Sequence, residues 1–295
     1  VINITPDSGT EMFRNFFIPD SGRLKMDYEI KGMDIEVSEP DLDLDETLDC
    51  GQAFRWRKTA SDFQCTYTGS FVNSCLTVSQ TAPGRFIFHE TTEEDFLDKW
   101  VDYFDFSTDY TELKRCFSQD ETLSKACGYA GGIRLLRQDS WECLISFIIS
   151  QNNNIPRIKG IIDRLCENYG GEFPEAEALA AETVDSLAYL RSGFRAKYIC
   201  DAASRVNSGS TDLAAIAAAP IDQARTELKK ILGVGPKVAE CVLLYGMHRT
   251  EAFPVDVWIK RVLAEYYPDG FPEFAADNAG IAQQYLFHYI RTGLK

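Results

Sequence analysis

Residues 220–246 read PIDQARTELKKILGVGPKVAECVLLYG, and this stretch decides the fold. Ile221, Ala224, Leu228, Ile231 and Leu232 fall on one face of a helical period and predict a helix. Gly233-Val234-Gly235 breaks it. Pro236 restarts a helix at the first-turn position, where a missing N–H costs nothing. Val238, Ala239, Val242 and Leu243 form the apolar stripe of that second helix. The stretch thus predicts a pair of helices joined by a tight Gly-x-Gly turn. Such a turn bares backbone N–H groups beside a helix N-terminus, so Gly233 and Gly235 are candidates for a phosphate contact that reads no sequence. Corner glycines also suit a plain helical hairpin. The proline restart and the lysine beside it favour the phosphate reading.

Lys237 stands in the first turn of the second helix, where the partial positive charge of the helix N-terminus disfavours an ammonium ion. An amine so placed suits nucleophilic attack. A solvated lysine touching phosphate would also fit. Cys241 lies one turn on, on the same face, and alone reads as core. Downstream, Phe253-Pro254-Val255-Asp256-Val257-Trp258 puts Asp256 just before a helix starting near Val257, as its N-cap. The 19 residues from Lys237 to Asp256 allow one helix out and a loop back, so both side chains can face one cleft. A carboxylate there could stabilise a developing sugar cation or help activate the amine.

Upstream the pattern changes. Between 34 and 89 apolar residues alternate at Ile35 and Val37, Cys65 and Tyr67, Leu76 and Val78, and Phe86 and Phe88. Gly69-Ser70 and Pro83-Gly84 are the expected turns. This predicts an antiparallel sheet with one wet face. Thr91 or Thr92 then caps a helix with the stripe Phe96, Leu97, Trp100, Val101 and Phe104. After about residue 110 the strand signal stops. Residues 141–150 (WECLISFIIS) are apolar nearly all round and predict a central buried helix. Ile155, Ile158, Ile161, Ile162 and Leu165 fit the next, which Tyr169-Gly170-Gly171 ends. Further helices fit 177–190, 195–207 and 212–219. The expected fold class is α+β: a tail or early edge over 1–30, an antiparallel β-rich domain over 31–115, and a helical domain over 116–295 containing the hairpin at 221–246.

Composition narrows the function classes. The chain has 295 residues, 45% apolar and 25% charged, which supports a large core and argues against disorder or a fibre. No apolar run reaches the length of a membrane span, and no basic segment followed by an apolar stretch opens the chain. The expectation is an intracellular monomer of the cytoplasm or nucleoid with no membrane partner. Residue 1 is Val, and Met26 is a candidate natural start. Nine cysteines are scattered without a CxxC pair or a Cys/His cluster, which argues against a disulfide framework, zinc or iron–sulfur. They read mostly as core thiols in a reducing compartment. The net charge of −15 argues against an acidic partner until its distribution is read. Residues 1–49 alone carry −9. Segment 191–205 holds Arg191, Arg195, Lys197 and Arg205 against Asp201, and segment 225–261 holds 7 bases and 4 acids. Local basic faces are available, with weak long-range attraction to a polyanion.

The Gly-x-Gly hairpin, its lysine and the downstream aspartate resemble the helix-hairpin-helix DNA glycosylases. Cys50-Gly51-Gln52-Ala53-Phe54-Arg55-Trp56 and Ser150-Gln151-Asn152-Asn153-Asn154-Ile155 look like motifs of the 8-oxoguanine DNA glycosylases within that superfamily. Members with a C-terminal four-cysteine cluster are a poorer match, since no cysteine follows Cys241. Alkylpurine members generally lack the hairpin lysine. The similarity runs from about residue 40 to 290.

By this resemblance Lys237 is the nucleophile that attacks the sugar C1′ and forms a Schiff base, and Asp256 is the catalytic carboxylate. Gly51 offers its carbonyl to the N7–H of 8-oxoguanine; ordinary guanine has an acceptor there and is repelled. Without the resemblance Gly51 reads as a turn. Gln283 reads the Watson–Crick edge of the extruded base, Phe287 stacks on it and Cys241 covers its other face. Gln283 and Phe287 are one helical turn apart, and on their own they read as a surface amide and a core aromatic. Asn152, Arg157 and Arg195 bind the opposite cytosine, and Phe194 stands where a tyrosine wedge is common. Read alone, Asn152–Asn154 are a helix cap and Arg157 a solvated charge. Trp258 replaces an expected histidine at a phosphate contact, and Pro156 an expected small residue.

The resemblance implies a bifunctional DNA glycosylase and AP lyase acting on duplex DNA that contains 8-oxoguanine, preferably opposite cytosine. It allows a structural cation on hairpin carbonyls; neither a metal nor an organic cofactor is expected for the chemistry. A glycosylase for an oxidised pyrimidine or alkylpurine is the alternative within the class. A noncatalytic hairpin module would bind DNA without base release, and a Schiff-base lyase for small carbonyl compounds would leave the hairpin and the asparagine run unexplained.

Overall fold

The structure is a computed structural model that describes residues 14–15 and 26–293. It has two compact units: residues 1–52 with 56–137, and residues 53–55 with 138–295.

The first unit is built on a seven-stranded antiparallel sheet. Its strands are β1 (Arg14–Asn15), β2 (Asp27–Lys31), β3 (Asp34–Ser38), β4 (Arg57–Thr59), β5 (Cys65–Phe71), β6 (Ser74–Ala82) and β7 (Arg85–His89), in spatial order β1-β2-β3-β7-β6-β5-β4. The segment over 1–30, expected as a tail or early edge, thus contains a strand that starts at Asp27; most of 1–25 lies outside the described residues. Alternation sets the register. Ile35 pairs with Phe88, Val37 with Phe86, and Tyr67 and Phe88 both with Val78, all buried. One face is therefore dry.

Onto it packs a helical segment over residues 93–103. Thr92 caps it, accepting from the Asp95 amide at 3.1 Å. Phe96 and Phe104 meet the Phe88 ring at 5.1 and 5.5 Å, and burying each such ring contributes about 2–3 kcal/mol.

The expected turn at Gly69-Ser70 is absent. Gly69 lies inside β5, and the chain reverses at Val72, which takes a left-handed φ of 51°. A Cβ at Gly69 would overlap the Trp56 indole, so the glycine makes room for a ring and does not bend the chain.

The first unit also extends past the expected boundary at 115, to Arg137. Residues 132–136 hold it there. Asp43 N donates to Gly132 O at 2.9 Å, and Leu136 N donates to Gln52 Oε1 at 3.0 Å. Arg134, 1% exposed, donates to the carbonyls of Phe104 and Asp105 and lies 4.2 Å from the Tyr110 ring centroid.

The second unit surrounds the Ser140–Ser150 helix, eight of whose eleven residues are buried. Asp139 caps it, accepting from Glu142 N at 2.8 Å. The next helix, Ile155–Glu167, starts at the Asn154 cap, and Gly170 and Gly171 both take positive φ after its end. The helix expected over 177–190 is broken into Ala176–Ala180 and a 3-10 turn, Ser186–Leu190. Between them Thr183 and Ser186 exchange side chain–backbone hydrogen bonds at 2.8 and 3.1 Å, which offer the backbone an alternative to helix. Ala196–Asn207 and Leu213–Ala218 match expectation.

Candidate active site

The first hairpin helix is Ile221–Leu228, shorter than its apolar pattern. Ile231 is buried beyond its end, but Leu232 is 49% exposed, not on the inner face. Its amide donates to Asp201 Oδ2 at 2.7 Å, which draws the chain out of helix. Gly233 then takes φ +83°, and a Cβ there would overlap the Tyr198 ring. Nothing stands within 4 Å of a Cβ at Gly235, the N-cap of the Pro236–Cys241 helix. That helix continues as a π-turn over Val242–Gly246. The amides of Lys237 and Val238, in its first turn, have no intrahelical acceptor.

Lys237 is half-buried, with Nζ 5.0 Å from the Phe147 ring centroid. Cys241, one turn on, is buried beside it. Burial pushes the Cys241 thiol up; the positive charge of Lys237 pulls it down and the Asp256 carboxylate adds to the rise. The lysine and the aspartate thus act electrostatically on the same sulfur. Asp256 is the N-cap of Val257–Tyr266, its Oδ1 accepting from the amides of Trp258 at 2.9 Å and Ile259 at 2.8 Å. One oxygen serves the cap, so the other remains for chemistry. The Trp258 ring lies 5.2 Å from the Arg261 guanidinium, which brings a cation to that position.

Gln283 and Phe287 reverse their stand-alone readings. Gln283 is 3% exposed and its Oε1 has no hydrogen-bond partner among the described residues. Phe287 is half-exposed, 5.1 Å from the Arg291 guanidinium. A buried amide oxygen without a donor costs stability, so this one is open to a hydrogen bond from outside the described residues.

The asparagine run divides three ways. Asn154 is a cap, accepting from Arg157 N at 3.0 Å, and Asn153 Nδ2 donates to Ile149 O at 3.2 Å. Asn152, exposed like Asn154 but not a cap, takes a left-handed φ of 48°. Arg157 is exposed, as is Phe194 at 47%. Arg195 is 3% exposed and donates to the carbonyls of Gln151 at 2.9 Å, Ser192 at 3.0 Å and Asn152 at 3.1 Å. In this structure it ties the turns at 151–152 and 192 together. Sequence reasoning missed that role, for which an isolated arginine gives no signal.

In the first unit, Gly51 has φ +98°, beside a Gln52 that donates to Thr47 O at 2.9 Å and Arg134 O at 2.8 Å. Trp56 Nε1 donates to Tyr103 Oη at 2.6 Å. In the second unit, Arg55 pairs with Glu142 at 3.0 Å. The conspicuous side chains around Gly51 are therefore structural. Among the described residues no group of three or more His, Cys, Asp or Glu is placed to hold a metal ion, and no helix is long and apolar enough to cross a membrane.

Residues 34–144 match the family model of the 8-oxoguanine DNA glycosylase N-terminal domain, and residues 145–270 that of the HhH-GPD superfamily base excision DNA repair proteins. A probable N-glycosylase/DNA lyase of Methanothermobacter thermautotrophicus is 34% identical over 60% of this chain and 70% of its own length. The N-glycosylase/DNA lyase of Saccharomyces cerevisiae is 39% identical over 46% of this chain, a match that spans only 42% of the yeast protein. Among solved structures, MBOgg1 in complex with a low affinity DNA ligand superposes with TM-score 0.84 at 41% identity, covering 92% of this chain and 100% of that one. The Clostridium acetobutylicum 8-oxoguanine glycosylase/lyase, in complex with double-stranded DNA containing cytosine opposite 8-oxoG, gives TM-score 0.80 at 34% identity over 91% and 98%.

Proposed function

The chain belongs to the 8-oxoguanine DNA glycosylases of the helix-hairpin-helix superfamily, and from that premise we propose that it excises 8-oxoguanine from duplex DNA, preferably opposite cytosine, and cuts the strand through a Schiff base on Lys237. The observation that carries this reading is a half-buried amine, Lys237, one helical turn from the buried Cys241, together with a cap carboxylate, Asp256, that spends only Oδ1 on the backbone. A phosphate-binding hairpin needs neither a half-buried amine nor a carboxylate with an oxygen to spare.

In the proposed reaction the Lys237 amine attacks C1′ of the extruded nucleotide. The N-glycosidic electron pair leaves with the base, which takes up a proton. Asp256 stabilises the positive charge that develops on the sugar as that bond breaks. Loss of the ring oxygen from C1′ gives an iminium between Lys237 and the opened sugar. Loss of a C2′ proton then expels the 3′ phosphate, and water releases the amine. The neutral Cys241 thiol and Phe287 flank the base, while Gln283 Oε1 takes a hydrogen bond from its edge. Extrusion costs a few kcal/mol, offset by these contacts and by those of Asn152, Arg157 and Phe194 with the partner strand. Gly51 supplies the choice of lesion, since its carbonyl accepts an N7–H that guanine lacks.

Borohydride trapping on a panel of lesion duplexes tests this. A covalent adduct is expected with 8-oxoguanine, strongest opposite cytosine, and Lys237→Gln abolishes it. An adduct that survives the substitution removes Lys237 as nucleophile; trapping only on an oxidised pyrimidine removes the substrate.

A further inference from the structure

Arg191 sits in a conformation that a glycine would take more easily. It ends the Ser186–Leu190 turn at φ 52°, ψ 33°, in the left-handed region, with its amide donating to Ala188 O at 3.0 Å. Cβ crowding penalises this conformation in every residue but glycine, and the chain uses a glycine in it two residues later, Gly193 at φ 61°. Helices end this way with glycine or asparagine far more often than with arginine. Fixed backbone strain of this kind concentrates at functional positions.

The surroundings do not repay Arg191 with contacts. Its side chain is exposed and makes no ion pair among the described residues. Its carbonyl accepts from Arg157 Nη2 at 3.4 Å, so another cation lies close by, and Arg157 in turn depresses the proton affinity of Arg195, after burial itself. Arg157 and Arg191 form an exposed positive rim without a carboxylate partner among the described residues, in a chain of net charge −15. Arg195 holds the rim rigid by bonding the carbonyls of Gln151, Asn152 and Ser192. Left-handed strain opposes a side chain at position 191, and no ion pair of its guanidinium among the described residues offsets it.

We infer that Arg191 anchors a backbone phosphate of the DNA strand opposite the lesion. The inference rests on the proposed function, which assigns its neighbours Asn152, Arg157 and Phe194 to that strand. A phosphate suits Arg191 better than a base edge, because nothing in the fold orients this guanidinium for bidentate reading.

The test uses Lys237→Gln protein, which binds without turnover, and measures DNA affinity against salt by fluorescence anisotropy. Adding Arg191→Gly is expected to weaken binding about 3–10-fold and to reduce the slope of log K against log salt by about 1. The loss is the same opposite cytosine or adenine and on undamaged duplex. Arg191→Lys keeps the slope. The free Arg191→Gly protein melts about 2–4 °C higher, since strain is relieved. Unchanged affinity and slope overturn the inference, as does a loss confined to one opposite base. If the lesion panel shows no excision of 8-oxoguanine, the proposed function falls, whereas the comparison on undamaged duplex still reads Arg191.

Discussion

Phe147 lies against Lys237 and is itself held by a tyrosine. Its ring centroid lies 5.0 Å from Lys237 Nζ and 5.2 Å from that of Tyr245, nearly parallel to it at 13°. The Tyr245 hydroxyl accepts from Gln284 Nε2. Gln284 is 3% exposed, and its Oε1 has no partner among the described residues. Tyr245→Phe removes the acceptor from an amide that is already half-satisfied. The expected loss is about 1–3 kcal/mol in urea unfolding, the cost of stranding a buried polar group. Tyr245→Phe with Gln284→Met makes both positions apolar at similar volume and recovers most of that loss; a double variant no more stable than the single one places the cost elsewhere. Periodicity alone gave no signal for the burial of Gln283 or Gln284, and only the family resemblance singled out Gln283. The Ala279–His288 helix is buried on nearly every side, so its residues have no wet face against which to set an amide. Lys237 and Asp256 were legible because each carries a positional signal, a first helical turn and a cap, that does not depend on packing.

At the scale of elements, alternation and helical period located most strands and helices, while glycine misled wherever its reason was a neighbour from distant sequence. Gly69 lies in a strand because Trp56 fills the space above it, and no local pattern encodes that. Gly233 and Gly235 look alike in the sequence and differ in the fold. Gly233 needs both a positive φ and the absence of a Cβ against Tyr198; Gly235 faces open space. Gly233→Ala therefore combines left-handed strain with overpacking, about 2–5 kcal/mol of lost stability. Gly235→Ala costs no more than about 1 kcal/mol, the difference between glycine and alanine at an N-cap. If the turn holds phosphate, the added methyl still weakens DNA binding, because it occupies space the backbone left open. Thermal melts and duplex affinity of both variants check the pair. Equal destabilisation by the two substitutions contradicts the different roles, and full DNA affinity in Gly235→Ala removes that glycine from the phosphate site.

The chain as a whole should be most stable in mild acid. Burial pushes the Glu142 carboxyl up to about 7, against the pull of Arg55 at 3.0 Å. Burial also raises Glu39 and Glu46. Asp41 runs the other way: burial would raise it, but hydrogen bonds from Lys114 and Thr111 bring it below the usual range. Between the ordinary carboxylate value of 4.5 and about 7, folded Glu142 keeps a proton that the unfolded chain has released. Its contribution is full below that window and is lost as pH rises through it, to the extent of about 3 kcal/mol at most. The net charge of −15 at pH 7 adds self-repulsion in the same direction. Salt separates the two causes, because it screens surface repulsion and barely reaches a buried group. Unfolding free energy should fall from pH 5.5 to 8 in the wild type. Glu142→Gln, whose amide oxygen can still accept from Arg55, flattens that fall even at high salt, whatever its effect on the absolute level. A pH profile parallel to the wild type at high salt would show that the buried Arg55–Glu142 pair is not what makes this fold favour acid.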